Sequence, residues 1–168
     1  MMKLETWELL SYVVTVIGLP LAISVFVYEQ HKERKNEEEL VYESISDNYQ
    51  EFLRVVLEHP DLHLFSMNKT PALTEEQHER MTVIFSMLIS LFERAYIMLY
   101  DEGVHIEKQR RWSSWHDYMR EWCAREDFRD ALDTLLIGED QDFCRYIRKV
   151  AQATAIGQGL PLGPPRRA

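Results

Sequence analysis

The side chains that could do chemistry are few and scattered. His116 and Asp117 form a His-Asp pair, with His78 upstream and Asp130 and Asp140 downstream. A His, a His-Asp and a distal Asp that converge on metal ions could activate water against a phosphate ester. A single His-Asp dipeptide is common by chance, however, and His78 stands just inside a capped helix start. The expectation is no metal site. His59 and His63 are four residues apart, but Pro60 opens a new turn between them, so both read as loop and turn residues. Cys123 and Cys144 lack CxxC spacing and stand in half-apolar helical contexts, as reduced core cysteines would. The sequence has no Gly-rich phosphate loop, nucleophile elbow or HExxH. The expectation is a chain that is not an enzyme and takes no cofactor.

The densest aromatic signal is "RRWSSWHDYMREWCAREDFRDALDTLL" (110–136). Trp112, Trp115, Met119 and Trp122 recur at spacings of 3, 4 and 3, which puts three indoles on one helical face. Such a stripe could line a ligand pocket or stack a base. Rings of this size more often bury themselves, so Trp112, Trp115 and Trp122 are expected in a core with Phe92.

Helices must position these residues. Tyr42, Ile45, Tyr49, Phe52 and Val56 alternate at 3 and 4, an amphipathic helix that Pro60 stops. "HPDLHLF" then allows a short turn of helix, and 66–73 reads as a loop. Thr74 followed by Glu75, Glu76 and Gln77 makes a capping box for a helix over 75–101. The centre of that helix is apolar on nearly every face, but Glu93 and Arg94 interrupt it too early for a bilayer crossing. It reads as a central helix, or one at an oligomer interface. Glu93 and Arg94 project ~100° apart, so each needs its own partner if buried. Phe128, Leu132 and Leu135 mark a short helix before Gly138, and 139–154 supplies the last one. Six glycines in 168 residues, with 46% hydrophobic residues, fit an all-α chain.

The N-terminus is different. Residues 9–28, "LLSYVVTVIGLPLAISVFVY", are uncharged over 20 positions, enough at ~1.5 Å per residue to cross ~30 Å of hydrocarbon. Trp7 and Tyr28 flank the run as interfacial aromatics. Ser11, Thr15, Gly18 and Ala22 form a small-residue stripe along it, suited to close packing between spans, and Pro20 on the other face favours a mild kink. "EQHKERKNEEE" (29–39) follows without one apolar residue and reads as a solvated helical stalk, basic beside the headgroups and acidic beyond. Lys32, Arg34 and Lys35 place the bulk of the chain in the cytoplasm and the N-terminus outside.

The domains expected are a segment with a transmembrane helix (1–28), a stalk (29–39), a helical bundle (40–155) and a disordered tail (156–168). A formal charge of −9 disfavours nucleic acid. The partners expected are the lipid bilayer, other copies of the chain, and a cytoplasmic protein or small ligand.

This order of features resembles a group of bacterial single-pass membrane proteins with a small helical cytoplasmic domain of unknown function. The likeness rests on the span, "YQEFLRVVLEHPDLHLF" (49–65), "SLFERAYIMLY" (90–100) and 110–132, with Phe92-Glu93 and Trp112-x-x-Trp115 before Trp122. It implies a bacterial single-pass architecture and no activity, while the inner-membrane location and a homo-oligomer are expected from the span and its small-residue stripe. The sequence alone suggests an anchored binding or signalling module. The alternative is a small membrane effector of the phage-defence type, whose bundle senses a ligand and whose spans perturb the bilayer.

Overall fold

The computed structural model describes residues 4–66, 68–100 and 106–157. The chain is all-α. Its helices are α1 (Leu4–Glu58), α2 (Glu75–Leu99), α3 (Ile106–Trp122), α4 (Glu126–Leu135) and α5 (Gln141–Gly157), with a 3-10 turn at Pro60–Leu62. By contact density it divides into residues 1–41 and 42–168.

In the first unit, α1 is helical through Pro20, where Ser24 Oγ–H donates to the Pro20 carbonyl at 2.8 Å. Side chains before Val16, apart from Tyr12, lie outside the described residues, so Ser11 and Thr15 are known by backbone alone. Gly18 is half-buried and Ala22 exposed, among large apolar side chains that are all exposed from Val16 to Tyr28. The stretch 29–39 is helical and exposed throughout.

In the second unit the core is built around α2 and α3. Pro60 stops α1, and the turn after it closes with His63 in a left-handed conformation (φ 45°). The capping box of α2 forms as the sequence predicts. Thr74 Oγ1 accepts the Gln77 N–H at 3.2 Å and Gln77 Oε1 accepts the Thr74 N–H at 3.0 Å. α2 ends at Leu99 rather than 101. Among the described residues it is the helix long and apolar enough to cross a membrane, yet 44% of its apolar window is buried inside the bundle. Phe85, Leu88, Ile89, Phe92 and Ala95 are at most 1% exposed, the environment of a core helix.

α3 packs its indoles along this core. Trp122 lies 5.5 Å from Phe52, 6.3 Å from Phe85 and 6.2 Å from Phe128, joining α1, α2 and α4. Its Nε1–H donates to Tyr49 Oη at 3.3 Å, so the buried indole keeps a partner. Trp115 meets Tyr49 edge-on at 5.6 Å, and Arg111 sits 5.0 Å from the Tyr42 ring centre.

α3 and α4 are separate helices within the 110–136 run. The break is at Cys123–Arg125, where Arg129 Nη1 donates to the carbonyls of Cys123 and Ala124 at 2.7 Å each. This caps α3 with a cation at its negative end. Gly138 takes φ +95° in the α4–α5 turn, a conformation open to glycine. α5 runs to Gly157, past the 155/156 boundary drawn from the sequence; residues 158–168 lie outside the described set.

Candidate functional site

A groove of about 660 Å³ runs between α3 and α5, within the size range of small-molecule sites. α3 lines it with His116, Asp117, Arg120, Glu121 and Ala124, and α5 with Val150, Ala153, Thr154 and Gly157. The spacings 116/120/124 and 150/153/154/157 set one stripe of each helix against the other. The floor is small and apolar and the rim carries both charges. Such a surface accepts an amphipathic ligand or a peptide segment better than a bare anion.

The groove's polar groups are occupied in ways that bear on chemistry. His116 Nδ1 lies 2.6 Å from Tyr146 Oη, which orients the imidazole. Burial raises the Tyr146 pKa, so its hydroxyl stays neutral. Thr154 Oγ1–H donates to the Val150 carbonyl at 2.8 Å, so this hydroxyl is committed to the backbone and not to His116. Asp117 faces Arg120 at 3.8 Å in an exposed pair of little energetic weight.

Tyr146 belongs to an aromatic cluster with Tyr96, Tyr100 and Trp112, all six ring pairs lying between 4.6 and 5.8 Å. These are direct ring contacts, so the four rings fill the space that a caged cation would need.

The other sequence candidates are dispersed. Asp140 caps α5, its Oδ1 accepting the N–H groups of Asp142 and Phe143 at 2.9 Å each. Asp130 faces Lys69 at 3.4 Å, and the His78 carbonyl accepts the Thr82 hydroxyl at 2.8 Å within exposed α2 backbone. Among the described residues, no group of three or more His, Cys, Asp or Glu could hold a metal ion. Both cysteines are buried and free. Burial pushes the Cys123 thiol up to about 12 and also raises Cys144, so neither is a ready nucleophile. Phe92, Trp112, Trp115 and Trp122 are all in the core.

Two polar clusters carry no sequence signature. The first is a buried clamp. Arg125 is 1% exposed and forms a fork with Asp127, Nε to Oδ1 at 3.1 Å and Nη2 to Oδ2 at 2.6 Å. Nη1 donates to the carbonyls of His63, Leu64 and Ser66 at 2.9, 3.1 and 2.5 Å. Thr70 Oγ1 accepts from Nη2 at 3.2 Å and donates to the Leu62 carbonyl at 2.7 Å. Asp127 Oδ1 accepts the Phe128 N–H at 2.9 Å. The clamp fastens the loop after α1 to the start of α4 and gives the Leu64 and Ser66 carbonyls a donor, while the His63 carbonyl also accepts the Ser66 N–H at 3.0 Å.

The second is a carboxyl pair. The Asp140 N–H donates to Glu93 Oε1, tying α2 to the start of α5, and Glu139 hydrogen-bonds Glu93 and Ser90. Burial first, then the Glu93 contact, pushes the Glu139 pKa from 4.5 up to about 7. The folded form thus holds a proton that the unfolded chain releases. The pair's contribution to stability is full below about 4.5 and is lost as pH rises through about 7. Urea midpoints of the full chain are expected to fall between pH 5 and pH 8, and Glu139→Gln should flatten that slope. An unchanged slope in the variant would remove Glu139 as its source.

No family model matches this chain, and no match was found among curated proteins or solved structures.

Proposed function

We propose that the chain is a membrane-anchored, non-catalytic binding module of the bacterial inner membrane. α1 anchors it with the N-terminus outside, and the second unit is a cytoplasmic helical domain that docks a protein or small ligand in the α3–α5 groove. The observation that carries the reading is the bare apolar surface of α1. Val16, Ile17, Leu19, Leu21, Ile23, Val25, Phe26 and Val27 are each 49–68% exposed. A continuous apolar surface of this kind is costly in water and stable in hydrocarbon. The stretch that follows, 29–39, carries Lys32, Arg34 and Lys35 first, beside the headgroups.

On this reading, the intact chain stays with vesicles through alkaline extraction. A photoreactive residue placed at Ala153 gives a discrete adduct in cells that Val150→Arg abolishes. Full recovery of the chain in the supernatant sinks the anchor. Absence of a Val150-sensitive adduct sinks the groove.

The stripe of Gly18 and Ala22 favours a second reading, a small oligomeric effector whose spans perturb the bilayer when the bundle is occupied. Gly18→Leu separates the two. It abolishes depolarisation of cells by an effector and leaves the Ala153 adduct of a binding module unchanged.

A further inference from the structure

The α3–α5 groove has part of its wall in the last turn of α5. Gly157 lines it, and the chain continues from that residue as "QGLPLGPPRRA" (158–168). This segment therefore sets out from the groove itself. Both walls are helices, so their backbone groups are spent on their own turns. The Thr154 hydroxyl is spent as well, on the Val150 carbonyl. An occupant gains apolar contact here and few hydrogen bonds, which suits a segment with few backbone donors of its own.

The composition of 158–168 meets that requirement. Pro161, Pro164 and Pro165 have no N–H, and Leu160 and Leu162 supply apolar bulk for a floor of Ala124, Val150 and Ala153. Pro-rich sequence favours the polyproline II form, which needs no internal hydrogen bonds and loses little entropy on docking. Charge points the same way. Arg166 and Arg167 stand in this segment without a single acid, in a chain of formal charge −9. The α3 rim presents Asp117 and Glu121, one turn apart. Arg120 lies between them, but its 3.8 Å contact with Asp117 joins two side chains that are 62% and 65% exposed, so it exchanges readily. At ~3.1 Å per residue, 160–165 covers ~19 Å, against ~12 Å of α3 from His116 to Ala124. A reversal at Gln158 and Gly159 is enough to lay the prolines along the floor and bring the arginines to the acidic rim.

We propose that the α3–α5 groove is the seat of the chain's own C-terminal segment, 160–167, which an external ligand must displace. The inference rests on the groove being a docking surface, as proposed above. The short tether from Gly157 holds the segment at an effective concentration of the order of millimolar. Contacts too weak to retain a free peptide therefore fill the groove, and they yield to a ligand that binds more tightly.

The test uses the full chain purified in detergent, with a photoreactive residue in place of Arg120. The expected product is an intramolecular adduct whose junction, located by peptide fragmentation, falls within 160–165, with a yield unchanged by dilution. Leu160→Glu together with Leu162→Glu should lower that adduct ~fivefold or more and leave the melting curve as it was. In cells, the same two substitutions should raise the external adduct at Ala153 ~threefold or more. Junctions that stop at Gly157 overturn the proposal. A yield that falls with dilution overturns it in favour of a second copy's segment. Loss of the adduct in anionic but not neutral phospholipid vesicles overturns it in favour of headgroups as the partner of Arg166 and Arg167. The two readings fail separately. Junctions that stop at Gly157, with the Ala153 adduct retained, remove the segment and keep the groove for its ligand. Junctions within 160–165, with no external adduct even after both leucines are changed, keep the segment and remove the ligand.

Discussion

Arg125→Met is expected to lose ~3–5 kcal/mol of stability, the largest single-residue effect in the helical domain. Two terms add. Asp127, 7% exposed, is left as a buried carboxylate with its ionic partner gone. The carbonyls of His63, Leu64 and Ser66 lose their shared donor in a loop with few other partners. Arg125→Lys keeps the charge but not the planar fork, so it should recover only a minor part. Arg125→Met with Asp127→Leu removes the orphaned carboxylate and should recover more, short of wild type because the Leu64 and Ser66 carbonyls lose their donor. For a domain of this size the single variant corresponds to a fall of ~10–20 °C in Tm. Near-UV circular dichroism of the full chain in detergent reads it through the buried indoles. A shift below ~1 kcal/mol would mean that water reaches the loop and the clamp is dispensable.

The all-α class and most helix limits were legible because they depend on local signals. Thr74-x-x-Gln77, Pro60 and the 3/4 spacing of Ile45, Tyr49, Phe52 and Val56 act within one or two turns. The repeat of Phe128, Leu132 and Leu135 announced a separate α4, but not where α3 stops. "WCARED" has neither Gly nor Pro, and the break is held by Arg129 reaching back to two carbonyls. The clamp was only half visible, since Asp127 stands two residues on but the other acceptors of Arg125 lie 55–62 residues upstream in a loop whose conformation no spacing encodes. The same holds for His116. Its nearest signal in sequence was Asp117, but its partner in space is Tyr146, thirty residues on. Asp140, considered as a distal metal ligand, is a helix cap, and "GEDQDF" after a glycine turn is a cap signature that could have shown it. The outer face of α2 lies between these cases. Its apolar composition is plain from the sequence, but which side is bare depends on where α3, α4 and α5 pack.

Replacing Ile17 and Leu19 together by arginine is expected to shift the chain from the alkaline-resistant membrane fraction to the supernatant. Both lie at the middle of the 9–28 run, and each central arginine disfavours insertion by ~2.5–3.5 kcal/mol, so the pair changes the partition by roughly 10⁴-fold or more. Both side chains are already more than 60% exposed, so the change leaves no cavity and the helical domain should melt as before. Leu57→Arg is the control. Leu57 is 71% exposed on the same helix but outside the apolar run, and its charge should leave the chain in the membrane. If instead the run merely rests on other protein surfaces in water, the paired arginines would raise solubility while membrane association would never have been present. Retention of the doubly charged chain in the alkaline pellet would transfer the anchoring role to α2, which has the length and composition to cross a bilayer. That outcome would require Phe85, Leu88, Ile89 and Phe92, each at most 1% exposed, to leave the core, and the near-UV signal of Trp115 and Trp122 would collapse with them. Among the described helices, membrane retention with an intact near-UV spectrum would therefore point to α1 rather than α2.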